Sequence, residues 1–323
     1  MKLSVFAVLL KDRPFDEACK YLSEAGAQML EIGCGGYPGK EHCDPAVLLN
    51  DPAKLDEFKA TLAKYNLGIA ALSTHGNAVH PVPEIAKQFH DDFVNAVLLA
   101  EKLGVDTVVT FSGCPGGSPV DRTPNWVTCP WPDDFLGILD YQWNQVLIPY
   151  WKEQAAFAQA HGIKKIAFEM HPGFCVYNPE TLLKLRAAVG DIIGANFDPS
   201  HLFWQGVDPV AAIRYLGEHN ALYYFHAKDT RIDAINTARN GVLDTKHYSD
   251  EIHRSWIFRS VGYGHGAEVW KDIMSALRMI GYDGPISIEH EDSLMSVGEG
   301  LKKAIEMLKA TMMFESNGGM WWA

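Results

Sequence analysis

Residues 194–204 read GANFDPSHLFW. The stretch opens as a buried strand and then sets down Asp198, Pro199 and His201. An unpaired buried carboxylate is costly, so Asp198 needs a counter-charge. The neighbouring strand-like runs show where to look. KKIAFEMHP (164–172) ends in Glu169 and His171, ALYYFHAKD (221–229) in His226 and Lys228, and GPISIEHED (284–292) in Glu289. Four successive strands thus end in ionisable residues at the same height, and parallel strands of a closed sheet bring such ends to one mouth.

Working outward, the rest of the chain repeats the same alternation. Strand-like runs at 3–10, 28–36, 69–77 and 106–113 alternate with helical patterns at 15–26, 51–68, 83–104 and 142–162. Further helices are expected at 179–190, 208–217, 267–281 and 297–314. Many of these helices open at Asp-Pro or Pro and close at Gly. Eight strand–helix units in 323 residues predict an α/β fold, a single (β/α)8 TIM barrel over 1–315, with residues 316–323 as a C-terminal tail. A doubly wound sheet would need fewer strands or a second domain, and no linker divides the chain. The tail carries Trp321 and Trp322, which invite packing on the barrel or on a neighbouring subunit.

Strand parity supports this reading. Alternate residues face opposite sides of a sheet. With Glu169 inward, Ala167 is inward and Ile166 and Phe168 face the helices. With Glu289 inward, so is Ser287, while Ile286 and Ile288 face out. With Asp198 inward, Asn196 joins it and Phe197 faces out. Small and polar residues fall inside the rim, bulky apolar ones outside. Three carboxylates crowded there repel unless protons or a cation neutralise them. Oxygen ligands with one imidazole suit a divalent ion, Mn2+ or Mg2+ first, with Co2+, Fe2+ and Zn2+ as other fits. Taken singly, Asp198 reads equally as a turn cap, His226 as a core histidine and Glu289 as part of a solvated run. Together, on matched strand ends, Glu169, Asp198, His226 and Glu289 read as one metal site.

Two βα connections, after strands 4 and 7 (residues 114–141 and 229–266), are longer than a barrel requires and rich in aromatics. Both lie on the C-terminal rim, so they are expected to form a lid or substrate pocket. The net charge of −12, with no Lys/Arg run, argues against a nucleic-acid partner. None of the six cysteines forms a CxxC pair, which argues against a zinc ribbon and suits a reducing, cytoplasmic setting. The N-terminal run reads as a strand rather than a leader, and no apolar segment reaches the roughly 18 residues of a membrane span.

FEMHP, NFDPSH, FHAKD and IEHED resemble the motifs of the xylose isomerase-like TIM-barrel superfamily, the sugar (phosphate) isomerase/epimerase group, over nearly the whole chain. The resemblance implies a divalent-metal-dependent sugar isomerase or epimerase acting on a small carbohydrate. Glu169, Asp198, His226 and Glu289 would hold the metal, and Glu169 and Glu289 would serve as the catalytic acid/base pair on an enediolate. His201 would contact substrate. His75, His171, Lys228 and Arg231 are further substrate-binding candidates, Arg231 by analogy with the ketose epimerases. Family members often form homo-oligomers, dimers or tetramers. Two other activities compete. One is a lyase, deglycosidase or dehydratase acting on 3-keto sugars or polyols through the same first step. The other is an AP-endonuclease-like phosphodiesterase, which would use His265 as well. The chain departs from that branch at Ser112, where it has a histidine, and at Tyr263, where it has an aspartate. A non-catalytic sugar binder would not need four intact ligands.

Overall fold

A computed structural model describes every residue except Asn317, Trp321 and Ala323. Among the described residues, ten strands form: β1 (Lys2–Phe6), β2 (Met29–Gly33), β3 (Gly68–Ser73), β4 (Thr107–Thr110), β5 (Lys165–Glu169), β6 (Ile193–Phe197), β7 (Leu222–Ala227), β8 (Asp229–Ile232), β9 (Trp256–Arg259) and β10 (Pro285–Ile288). Eight close into a parallel barrel in the order β1-β10-β7-β6-β5-β4-β3-β2, and β8 and β9 pair separately. This is the (β/α)8 barrel that the alternation predicts.

The parity argument holds in the packing. Ala71, Val109, Ala167 and Tyr224 form a small cluster of their own, separate from the main core. Ile166, Phe168, Phe197, Ile286 and Ile288 belong to the large core that also contains the helices' apolar faces. Burying a side chain such as Phe168 contributes about 1.5–3 kcal/mol, and its ring meets Trp151 edge-on at 4.5 Å. The barrel is thus held mainly from outside, which leaves its interior free for polar groups.

Several boundaries differ from expectation for physical reasons. The first strand stops at Phe6, and Ala7–Leu10 forms a 3-10 turn. β10 ends opposite Val5, so the chain loses a neighbour there. The helix expected over 51–68 spans Pro52–Lys64, capped by Asp51. Asn66 takes a left-handed φ of 54°, Leu67 N–H bonds back to Leu62, and Gly68 is left to start β3. In the loop after β4 a helix, Asp134–Asp140, precedes the expected one; it continues through a π segment, Tyr141–Leu147, into Ile148–Ala160. In that segment Gln142 donates to the Pro115 and Asn125 carbonyls at 3.1 and 2.7 Å, which pins the loop.

The loop after β7 is also ordered. β8 and β9 form an antiparallel pair, with Asp229 opposite Arg259, and Ala234–Asn240 is helical. Buried Asp229 accepts from the backbone N–H of Gly262, Gly264 and His265 and from the Trp270 indole. A Cβ at Gly264 would lie 2.3 Å from the Thr230 carbonyl, so this turn needs glycine. In the tail, Trp322 is exposed. Trp321 lies outside the described residues.

Candidate metal centre and active site

β5, β6, β7 and β10 carry their polar ends to one point. Ligand atoms of Glu169, Asp198, His226 and Glu289 all lie within 4.8 Å of one another. Glu169, the last residue of β5, is the hub. Its Oε1 accepts from His201 Nε2 at 2.9 Å and its Oε2 from His75 Nε2 at 3.0 Å. His226 Nδ1 is 3.3 Å from Glu169 Oε2 and 3.3 Å from Glu289 Oε2. Asp198 is both a cap and a ligand candidate. Its Oδ1 accepts from Ser200 N–H at 2.8 Å, opening the Pro199–Phe203 turn, while its Oδ2 accepts no well-directed hydrogen bond. Proline at the first turn suits this: it removes an N–H that had no partner there.

Glu31 of β2, absent from the sequence-based candidates, completes the centre from below. It is fully buried, and its carboxylate takes His226 Nε2 at 2.8 and 3.0 Å. Ser287 Oγ donates to it at 2.8 Å, and Ser73 Oγ donates from β3. A carboxylate behind a ligating histidine fixes the tautomer and the ring orientation. With the Nε2 proton committed to Glu31, Nδ1 is the nitrogen left for a metal. The signal in the sequence was a lone glutamate in MLEIG with inward parity.

Lys228 balances the charge. Its buried ammonium lies 3.0 Å from Asp198, 2.7 Å from Glu289 and 2.9 Å from Glu291. Burial works against this cation, but Asp198, Glu289 and Glu291 hold its pKa well above the usual lysine value. Burial would likewise push Glu169 up, yet hydrogen bonds from His201, His226 and His75 hold it well below the usual carboxylate range. Asp198 is pushed up to about 7, chiefly by burial, with Lys228 opposing. Burial, helped by His171 and Lys228, drives His201 down to about 3, so it is a neutral imidazole donating to Glu169.

The remaining candidates divide. His75 joins the cluster, and a Cβ at Gly36 would sit 2.0 Å from the His75 carbonyl, so only glycine lets that loop close on it. His171 stands at the rim, its ring 4.0 Å from that of His201. Arg231 is not brought in: on β8 it is exposed and its guanidinium reaches the Gly264 carbonyl at 3.5 Å. The hairpin places it one strand outside the mouth. His265 bonds Asp229 at 2.8 Å and stacks on Phe203 at 3.7 Å, a structural role. Two rim cavities of about 440 and 380 Å3 meet at His171 and Tyr248; the first reaches His201 and the second Glu291.

The donor set fits a divalent ion. Ligands on one such ion lie about 2.0–2.6 Å from it, so they are mutually within about 5 Å, as the four residues are. Three carboxylates and one imidazole, backed by Glu31, form a site for a hard or borderline cation. A cation there would take over charge that Lys228 now neutralises.

Residues 19–311 match the xylose isomerase-like TIM barrel family, and the chain belongs to that family. It is 41% identical over 314 residues to the uncharacterized protein YfiH of Bacillus subtilis (strain 168), covering 97% of this chain and 99% of that one. Among solved structures, the probable 3-DHS dehydratase AsbF of Bacillus anthracis aligns with a TM-score of 0.65 at 15% identity, over 96% of this chain and 99% of its own. A D-tagatose 3-epimerase-like protein aligns at 0.63 with 20% identity, over 96% and 98%. At such identities these two show a shared fold. No helix among the described residues is long and apolar enough to cross a membrane.

Proposed function

We propose that the protein is a divalent-metal-dependent sugar isomerase or epimerase that moves a proton on the carbon next to a carbonyl. The observation that carries this reading is the convergence of Glu169, Asp198, His226 and Glu289 within 4.8 Å. A divalent ion held there would polarise the carbonyl and stabilise the charge that develops when the neighbouring proton leaves. Mn2+ fits the donors best, with Mg2+ next.

The side chains do the rest. Glu169 and Glu289 flank His226 Nδ1 from two strands. One takes the α proton and the other returns a proton, to the opposite face for epimerisation. Against the effect of burial, both carboxylates are held below the usual range, Glu169 by its histidines and Glu289 by Lys228 and His226, so either can start as the base, and the Lys228 ammonium at 2.7 Å from Glu289 is a source of the proton that Glu289 returns. His75 and His201 orient Glu169 through its two oxygens. Lys228 holds Glu289 and Asp198 in place. The rim aromatics exclude water and seat the sugar's C–H faces. The named functions of the dehydratase and epimerase-like neighbours agree with carbonyl-adjacent proton removal, which elimination and epimerisation share.

The test is NMR in D2O on Mn2+- or Mg2+-supplemented protein with a panel of ketoses, inososes and 3-keto sugars. Solvent deuterium entering the α carbon, lost on chelation and in Glu169→Gln, supports the reading. Loss of a hydroxyl or an aglycone from the product instead would assign elimination. Absence of exchange across the panel would overturn the proposal.

A further inference from the structure

The opening stretch places three functional side chains three residues apart. Asp198 belongs to the metal cluster, His201 bonds Glu169, and Trp204 ends the same short turn. Residues three apart adjoin on a helical turn, so His201 lies between Asp198 and Trp204. Trp204 borders the 440 Å3 cavity, together with Trp126, Trp256, Tyr248, His171 and His201. That cavity is distinct from the one reaching Glu291 beside Lys228 and Glu289, and the two meet at His171. The mouth therefore has room over the cluster and a second compartment beyond His201.

The second compartment has a definite chemistry. Trp204 and Trp256 stack face to face, 4.6 Å apart and 6° from parallel, giving a rigid aromatic wall. Arg254 is buried against Trp256 and Tyr248, at 4.5 and 4.4 Å from their rings, and stiffens the wall from behind. Trp126 meets Tyr177 edge-on at 5.5 Å across the cavity's other side. Thr128, Asp244 and Thr245 border the same cavity beside the aromatic rings. A pyranose presents C–H faces for the indoles and hydroxyls for the Thr128, Asp244 and Thr245 side chains.

Resting on the proposed sugar proton-transfer reading, we infer that the substrate is a sugar bearing a second, non-reacting pyranose ring, seated in the Trp126–Trp204–Trp256 compartment. The turn from Asp198 to Trp204 would then set the register between the reacting unit and the second ring.

The experiment is calorimetric titration of Glu289→Gln protein, slowed in turnover, with its Mn2+ content confirmed at one ion per chain before each titration. The ligands are D-fructose and its 4-O- and 6-O-α-glucosyl derivatives, maltulose and isomaltulose. At least one disaccharide is expected to bind tenfold or more tightly than fructose. Trp204→Ala, introduced into the same background and checked for native circular dichroism, should bring that ratio to near one. Trp204→Phe, which keeps a smaller ring, should leave an intermediate ratio and serves if the alanine variant does not fold. Equal affinities for fructose and both disaccharides, or a ratio unmoved by either Trp204 variant, would overturn the second-ring assignment and leave the proton-transfer reading standing. Binding of none of the three sugars would overturn both.

Discussion

The two mouths of this barrel differ in a way that cavity size does not reveal. The N-terminal mouth holds the larger cavity, about 610 Å3, bordered by Lys2, Asp106, Lys165, Tyr223 and Asp283. Its charges are solvated: Lys164 and Asp106 pair across 3.8 Å with both side chains largely exposed. The C-terminal mouth has smaller cavities, but beneath them Glu31, Glu169, Asp198, His201, His226 and Lys228 are all buried. Exposed pairs contribute little and cost little. Buried charges must be matched one against another, and that constraint fixes geometry. The candidate site thus lies at the end where desolvated charge is concentrated, the end at which (β/α)8 barrels carry their sites on the βα loops.

The largest expected effect lies at the C-terminal mouth. Glu169→Gln and Glu289→Gln should each lower the exchange rate by about 10²–10⁴-fold, the range of general acid–base catalysis, with the fold retained. Activity within tenfold of wild type in either variant would break the contrast between the mouths. One layer down, Glu31→Gln should weaken metal binding about 10–100-fold by calorimetry, through His226; an unchanged affinity would show that Glu31 is only a core hydrogen-bond partner.

At the opposite end the effect should fall on stability alone. A Cβ at Gly194 would lie 2.2 Å from the Tyr223 ring. Gly194→Ala should destabilise by about 1–3 kcal/mol while turnover per folded molecule is kept. A matching loss of turnover would mean that the N-terminal mouth takes part in function.

The smallest effect concerns the rim. Burial would raise Asp244, but bonds from Lys246 and the Ser255 N–H hold it down to about 2 against an ordinary 3.8. A carboxyl whose folded pKa is depressed stabilises the fold above its unfolded pKa and loses that contribution as pH falls through the folded one. Asp244→Asn should therefore cost up to about 2 kcal/mol at pH 7, and the difference from wild type should vanish as the pH drops from about 4 to 2. Thermal melts across that range would show it; a gap independent of pH would assign the effect to packing.

Much of this was legible in the sequence because it depends on local periodicity. Ala167 beside Glu169, and Ser287 beside Glu289, mark the inward faces without knowledge of any partner. Asp198, His226 and their height on the strands follow from the same pattern. What escaped depends on pairing across long separations. Glu31 meets His226 across 195 residues, and nothing near MLEIG announces that partner. The β8–β9 pair joins DTRI to WIFR across a loop, so each half alone reads as irregular chain. Arg231 illustrates the cost: the analogy with the ketose epimerases suggested a place at the mouth, but the hairpin register sets it on exposed β8.

Whether the four side chains share one ion is decided by an anomalous-scattering map from crystals grown with Mn2+. One strong peak is expected at about 2.0–2.6 Å from oxygens of Glu169, Asp198 and Glu289 and from Nδ1 of His226, with the Lys228 ammonium withdrawn from at least one of its carboxylates. A map with no peak in that cluster, Lys228 still bridging Asp198 and Glu289 at saturating Mn2+, would contradict the shared ion.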